Sequence, residues 1–208
     1  MKLYSFAGSC ALATHIALEW IGKPYNLKMI QKAELSTPEM LKLNPNHQVP
    51  ILDDGGWVLV ENAAILNYLA DKFPEAKLGG DGTSRGRAEV NRWLAMLNSD
   101  VHPAFKPLFG ATDYLEDATM IEKSHANARK VLRKYFEEFN EQLGKHDYIA
   151  GARSIADPYL FVVLRWARGV KVDLSGLDNL RKFEQRMRTD AGVQRALKAQ
   201  GLDQAKAA

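Results

Sequence analysis

The sequence predicts a fold in two parts, an α/β region followed by an all-helical region, and three observations support this prediction. Short runs of strand type, bounded by turn residues, are confined to residues 2–61. Residues 74–86 are rich in glycine and show no periodicity, which is typical of a linker. Beyond them, apolar residues recur at spacings of three and four, as in amphipathic helices. We expect a first domain over 1–76, a linker over 77–86 and a helical domain over 87–208.

Four runs in the first region have strand character, and helical patterns separate or follow them. The runs are KLYSF (2–6), YNLKMI (25–30), VPILDD (49–54) and WVLVE (57–61). Between the first two, Leu12, Ile16, Ala17 and Trp20 recur at helical spacings. The segment STPEMLKL, a short helix or loop, precedes the third run, DDGG turns a hairpin, and the helix AAILNYLADKF follows. This order predicts a small α/β sandwich.

The second region contains three recognisable helical patterns. Trp93, Leu94, Leu97 and Val101 mark one helix, and a longer apolar stripe runs over 131–143. The segment IADPYLFVVLRWA (155–167) is apolar nearly all round, as expected of a buried central helix. Before it, Ser154 and Asp157 have the spacing of a capping box with Asp in place of Glu. We assign this pair to folding, and expect Asp157→Ala to cost about 1–2 kcal/mol of stability.

Composition excludes several classes of protein. The 208 residues are 46% hydrophobic and 25% charged, a globular balance, and the net charge of +3 comes without a dense basic run. Binding to nucleic acid or to anionic lipid is therefore not expected. Apolar runs fall short of a membrane span, and polar residues interrupt the N-terminal segment, so we expect a cytoplasmic protein. A single cysteine forms no internal disulfide and no Cys-rich metal site, so no metal is expected.

That cysteine, Cys10, follows the pair Gly8-Ser9 at the predicted junction of strand and helix. The N–H groups of a first helical turn lack partners, and the helix dipole is positive there. Such a position favours a thiolate, which is either the ionised Cys10 or the thiolate of a ligand bound beside Cys10. The alternative is that Cys10 is an inert, buried packing residue.

Two further motifs offer backbone groups to a peptide-like ligand. A cis peptide bond between Val49 and Pro50 would turn the N–H and C=O of Val49 outward, away from the sheet. A peptide-like ligand could then dock on these groups as a short added strand. The alternative is that Pro50 is an ordinary proline of an edge strand. Glu61 and Asn62 lead from a strand into a helix, so Asn62 is a natural N-cap whose free donors would hold a carboxylate, although capping alone explains it. Together with Cys10, these motifs suit a small thiol peptide with a terminal carboxylate.

In order and spacing, six segments resemble the cytosolic glutathione transferases, most closely the bacterial beta class: GSCALATHI, NPNHQVPIL, ENAAILNYLAD, DVHPAFKPLF, IADPYLFVVLRWA and GLDNLRKFEQRM. The resemblance spans essentially the whole chain. It implies a thioredoxin-like N-terminal domain and a helical-bundle domain, which together make the glutathione transferase fold. It also implies a dimeric detoxification enzyme with glutathione as co-substrate.

The resemblance also implies roles for individual residues. Cys10 would lie beside the glutathione sulfur and could form a mixed disulfide with it, while Val49, before cis Pro50, would pair with the cysteinyl main chain. Glu61 and Asn62 would hold the γ-glutamyl end. The remaining matched positions are His102, which would reach toward the thiol, Ser99 one turn earlier on the same face, and Lys32 near the glycyl carboxylate. Four aromatic residues would line the electrophile pocket, or else are ordinary core residues: Phe6, Phe105, Phe109 and Trp166.

The sequence departs from the family pattern at Ser5, Ala7, Asn62, Ala95 and Pro103, so glutathione is expected to be held less tightly. We expect the conjugation of glutathione to hydrophobic electrophiles. We also expect monothiol exchange through Cys10, because no C-x-x-C motif exists. The alternative is a non-catalytic interaction or stress-regulatory protein on the same fold. An exposed aromatic residue near the predicted hairpin, Trp57, is a candidate for a homodimer contact.

Overall fold

The first region contains the four predicted strands, with a helix between the first two. The computed structural model describes residues 1–203. Its strands are β1 (Lys2–Ser5), β2 (Asn26–Met29), β3 (Ile51–Asp54) and β4 (Trp57–Val60). The helices of this region are α1 (Ala11–Ile21), α2 (Pro38–Leu43) and α3 (Asn62–Lys72). The predicted order, β-α-β followed by a hairpin and a helix, is confirmed.

The strands form one mixed sheet in the order β2-β1-β3-β4. β1 is parallel to β2, whereas β3 is antiparallel to both β1 and β4. The hairpin pairs Asp54 with Trp57, and its two loop residues, Gly55 and Gly56, have φ of 67° and 93°. Positive φ at both positions is what a tight two-residue hairpin requires. Because β3 lies inside the sheet, Pro50 does not precede an edge strand, and that alternative was wrong.

Strand alternation gives the sheet two apolar faces. Leu3 and Leu52 pack with Leu18 of α1 and Ile65 of α3 on one face. On the other face, Tyr4 and Ile51 pack with residues that include Met40 of α2. Neighbouring residues of β1 and β3 therefore face opposite sides, as the pleat of a strand dictates.

The second region is helical, with one irregular turn that the sequence pattern did not reveal. Its helices are α4 (Ser84–Met96), α5 (His102–Ala104), α6 (Ala118–Leu143), α7 (Ala156–Gly169), α8 (Asp178–Thr189) and α9 (Ala191–Ala199). A π-helical turn over Leu97–Val101 joins α4 to α5 and interrupts the predicted single helix. Among the described residues, no helix is both long and apolar enough to cross a membrane.

The boundary between the two regions stays a prediction. Helix α4 begins at Ser84, inside the linker predicted over 77–86, and residues 204–208 of the predicted helical domain lie outside the described residues. Helix α1 belongs to both regions in packing, since Leu12 and Ile16 join a core formed mainly by α4, α6 and α7. The N-terminus of α1 therefore lies where the sheet and the helical region meet.

The predicted capping pair before α7 makes more contacts than a cap requires. Asp157 accepts hydrogen bonds from the Ser154 N–H at 2.7 Å, the Ser154 hydroxyl at 3.1 Å and the Ile149 N–H at 2.9 Å. The hydroxyl of Ser154 accepts from the N–H of Ala156. The capping box predicts the N–H of Asp157 as the donor, one residue further along. Asp157 is completely buried, and it ties the preceding loop to the helix. We therefore expect a larger loss from Asp157→Ala than a cap alone would give.

Candidate functional site

The loop before α1 places Cys10 at the start of that helix. Ser9 donates to the carbonyl of Phe6 through both its N–H (3.2 Å) and its hydroxyl (2.8 Å), which closes the turn. Gly8 has φ of 75°, a conformation that glycine adopts without steric cost. Helix α1 begins at Ala11, and Cys10 is its cap residue. The position that the sequence predicted for Cys10 is thus the observed one.

The protonation state predicted for Cys10 is wrong. Burial raises the pKa of the Cys10 thiol to about 12, and the nearby charge of Glu61 acts in the same direction. The N–H groups of Cys10 and Ala11 lower it, but by less than the loss of hydration raises it. The thiol also lies 3.4 Å from the Val49 carbonyl oxygen, to which it donates. Cys10 in the free protein is therefore a neutral thiol at pH 7.

The main chain of Val49 is directed at the cysteine. The Val49-Pro50 peptide bond is cis, as predicted. The carbonyl of Val49 accepts from Cys10, and no described residue accepts a backbone hydrogen bond from the Val49 N–H. Val49 thus has a main-chain donor and an acceptor beside Cys10 for a ligand.

Helix α3 begins at Asn62, one position earlier than predicted. Asn62 is the first helical residue rather than the cap, and Glu61 occupies the cap with φ of 72°. The Asn62 side chain is 4% exposed, and its Oδ1 accepts from the Thr14 hydroxyl at 2.8 Å. Its side-chain amide faces the Tyr159 hydroxyl, but its Nδ2 makes no hydrogen bond of standard geometry within the described residues. An unpaired buried amide is costly, so this group is suited to hold a polar ligand atom.

His102 is held by residues that the sequence did not single out. Its Nδ1 lies 2.7 Å from the hydroxyl of Tyr159, which also donates to Asn98 Oδ1 at 3.3 Å. Burial lowers the pKa of His102, and the charge of Lys106 lowers it further, so the imidazole is neutral at pH 7. Tyr159 is completely buried, and burial raises the pKa of its hydroxyl, whereas a hydrogen bond from the Asn62 side chain opposes the rise.

Two residues predicted for the site, Ser99 and Lys32, make no hydrogen bond with His102, Tyr159 or Asn98. The prediction placed Ser99 on the face of His102, but the wide π turn brings Asn98 to Tyr159 instead, and Ser99 is exposed. Lys32 is exposed at the start of a short 3-10 turn. Within the described residues, neither side chain makes a hydrogen bond or an ion pair. Their roles toward a ligand stay predictions.

Three of the four predicted pocket aromatics form one cluster beside His102. Phe105 stacks on Phe109 with ring centroids 5.6 Å apart, and both meet Trp166 edge-on at 5.5 and 5.4 Å. Phe105 is buried, whereas Phe109 is 52% exposed, so the cluster has an open apolar side. The fourth, Phe6, packs instead with the cluster that contains Val49 and Met40, and its place in the pocket stays a prediction.

The indole of Trp166 connects this cluster with the Cys10 loop. Its Nε1 donates to the carbonyl of Gly8 at 2.8 Å, and its ring meets that of His102 at 4.7 Å between centroids. The apolar wall and the cysteine therefore belong to one site. Within residues 1–203, no group of three or more His, Cys, Asp or Glu side chains has the arrangement of a metal site.

Comparisons with known proteins agree with this arrangement. Residues 1–71 match the family model described as glutathione S-transferase, N-terminal domain, and residues 122–186 match the corresponding C-terminal domain model. The chain is 50% identical over 204 residues to glutathione S-transferase GST-4.5 of Xanthomonas campestris pv. campestris, with 98% of this chain and all of the relative covered.

Two solved structures extend the likeness to the fold. A glutathione S-transferase from Xylella fastidiosa has a TM-score of 0.95 at 50% identity and covers 97% of this chain and 98% of its own. A beta class glutathione S-transferase of Sphingomonas chungbukensis has a TM-score of 0.85 at 34% identity and covers 97% of this chain and 100% of its own. The chain therefore belongs to the glutathione S-transferase family.

Proposed function

We propose that this glutathione S-transferase joins the thiol of its co-substrate glutathione to hydrophobic electrophiles that bind against Phe105, Phe109 and Trp166. One observation supports this most: Cys10 lies against the Val49 carbonyl, and the loop that carries it is bonded to an open aromatic cluster through Trp166. A thiol peptide would fit the polar groups, and an apolar partner would fit the rings. Bringing the two together supplies proximity.

In the bound state, the γ-glutamyl end of glutathione lies at Glu61 and Asn62, where the Asn62 Nδ2–H gains an acceptor. The cysteinyl part pairs with the main chain of Val49, and Lys32 lies near the glycyl carboxylate. The Val49 carbonyl oxygen accepts from glutathione, and the Cys10 thiol turns away from it. Its S–H is then free to donate to the ionised glutathione sulfur. The N–H groups at the start of α1 stabilise the negative charge on that sulfur as well.

In this proposal, His102 takes up the thiol proton. Its neutral imidazole is oriented by the Tyr159 hydroxyl at Nδ1, and its Nε2 has no partner among the described residues. An oriented neutral imidazole is suited to act as a general base. The thiolate then attacks the electrophile, and the leaving group departs with its electron pair.

We expect His102→Gln to lower kcat for a chlorinated nitrobenzene by about 100-fold, at the lower end of what a general base contributes. The KM for glutathione should change little, since the hydrogen bond of His102 goes to Tyr159 rather than to Val49 or Asn62. His146→Gln, at an exposed loop histidine, is the matched control. An unchanged kcat in His102→Gln would remove the proposed base.

Monothiol exchange is the second activity that we propose for the site. The Cys10 thiolate attacks a glutathionylated disulfide, forms a mixed disulfide with glutathione and releases the other thiol. A second glutathione thiolate then attacks this bond, restores Cys10 and leaves as oxidised glutathione. Exchange through a thiol with a raised pKa should accelerate with rising pH across the neutral range, because only the thiolate reacts.

We also propose a cytoplasmic homodimer. Trp57 is 51% exposed at the hairpin and meets Tyr68 edge-on at 5.0 Å, which leaves a large aromatic surface uncovered. Trp57→Ala should shift the sedimentation-derived mass toward the monomer, whereas Tyr114→Ala, at a residue 78% exposed, should not. Equal masses for Trp57→Ala and the unchanged protein would place the interface elsewhere.

Retention on immobilised glutathione, followed by turnover of a chlorinated nitrobenzene, tests the proposed function as a whole. Retention with turnover is the expected result. Retention without turnover of any electrophile or disulfide would favour a non-catalytic glutathione-binding protein.

A further inference from the structure

A glutamine at the end of the helical region reaches the loop that carries the cysteine. Gln200 follows α9 and is 6% exposed. Its Oε1 accepts from the Gly8 N–H at 3.3 Å, although 192 residues separate the two along the chain. The carbonyl of Gly8 already accepts from Trp166. Both main-chain groups of Gly8 are therefore held by the helical region, two residues before Cys10.

The other end of the Gln200 side chain is fixed by buried partners. Its Nε2 lies 3.3 Å from the Ser5 hydroxyl and 3.0 Å from Nδ1 of His15. Ser5 is 0% and His15 1% exposed. Burial lowers the pKa of His15 to about 4, so its ring is neutral and Nδ1 can accept. With two acceptors for its N–H groups and one donor for its oxygen, the carboxamide has a single satisfied orientation.

We propose that Gln200 is a positioning residue for the glutathione site, which it serves by holding the Gly8 N–H and with it the loop that sets Cys10 at the start of α1. Gly8 has a left-handed backbone, and its N–H has no other partner among the described residues. Without Gln200 the loop would lose one of its two attachments to the helical region. The expected effect of Gln200 on glutathione binding rests on the proposed function, whereas its expected effect on the conformation of the loop does not.

The single cysteine makes this testable in the whole protein, because iodoacetamide labelling followed by intact mass reports on Cys10 alone. Gln200→Met keeps the length of the side chain and removes both polar ends. We expect Cys10 to be alkylated about tenfold faster in this variant, a change of the size that one lost hydrogen bond produces. The KM for glutathione should rise by a similar factor with little change in kcat. Gln194→Met, at an exposed position on α9, should leave both values unchanged.

Gln200→Glu is the rescue variant. One carboxylate oxygen still accepts from Gly8, while the Ser5 hydroxyl and the other neutral tautomer of His15 can donate to the second. Alkylation should return to nearly the rate of the unchanged protein. A rate as fast as that of Gln200→Met would overturn the proposal, as would unchanged alkylation or an unchanged KM in Gln200→Met.

Amide hydrogen exchange of the unchanged protein keeps the proposal testable if Gln200→Met fails to fold. The Gly8 amide should be protected, and free exchange there would overturn the proposal. Labelling and exchange need no glutathione, so they still decide the role of Gln200 if the protein turns over no substrate. Loss of turnover in the unchanged protein would count against the proposed function alone.

Discussion

Asp157→Ala should lower the free energy of unfolding by about 3 kcal/mol or more. The carboxyl group accepts three hydrogen bonds in the core, and its removal leaves the N–H groups of Ile149 and Ser154 buried without an acceptor. The truncated side chain also leaves a cavity between the loop and α7. Urea denaturation at constant pH measures the loss.

The control is Asp117→Ala, because Asp117 caps α6 at an exposed position through the N–H groups of Thr119 and Met120. Loss of an exposed cap costs about 1 kcal/mol. If both variants lost the same stability, Asp157 would be an ordinary cap and its burial would add nothing.

The same carboxyl group should make stability depend on pH. Burial raises the pKa of Asp157 to about 7, despite the hydrogen bonds from Ile149 and Ser154 that oppose the rise. The unfolded value is about 4, so the folded protein binds the extra proton between these values and loses stability as pH rises through this window. The stability of the unchanged protein relative to Asp157→Asn should fall by about 1.4 kcal/mol per pH unit near pH 5–6. If the difference in unfolding free energy between the two proteins did not change with pH, the Asp157 carboxyl group of the folded protein would already be ionised near pH 5–6.

Cys10→Ala should abolish glutathione-dependent disulfide exchange and leave conjugation within about tenfold of the unchanged enzyme. Exchange requires the sulfur of Cys10 itself, and the sequence offers no second cysteine to replace it. Conjugation uses the glutathione thiolate, to which Cys10 contributes one hydrogen bond, of a size that accounts for about tenfold at most. Both rates can be measured on the same preparation.

Cys10→Ser separates the two roles of the side chain. Its hydroxyl still donates to Val49 or to the glutathione sulfur, so conjugation should stay closer to that of the unchanged enzyme than in Cys10→Ala. Exchange should be lost in both variants. Exchange that persists in either one would rule out Cys10 as its nucleophile.

Local patterns predicted the framework of the protein because each of them depends on neighbouring residues. The apolar spacing of Leu12 and Ile16, the hairpin glycines Gly55 and Gly56 and the cis bond before Pro50 all have the predicted form. The position of Cys10 at the start of α1 followed from the same kind of reasoning.

Features that depend on distant residues were missed. The pKa of Cys10 is decided by burial under the helical region, which the dipole argument for α1 left out. Tyr159 meets His102 across 57 positions, and Gln200 meets Gly8 across 192. One signal was available: a tyrosine within the apolar segment 155–167 needs a partner for its hydroxyl, and this marked Tyr159 as a polar contact inside the core.

The most direct test is whether glutathione shields Cys10. S-methylglutathione is a suitable probe, since it presents the tripeptide without a thiol that consumes the label. The rate of Cys10 alkylation by iodoacetamide should fall at least tenfold as the probe saturates its site, with half of the effect at the concentration that half-inhibits conjugation. An alkylation rate that is the same at saturating probe would contradict the placement of the glutathione sulfur beside Cys10.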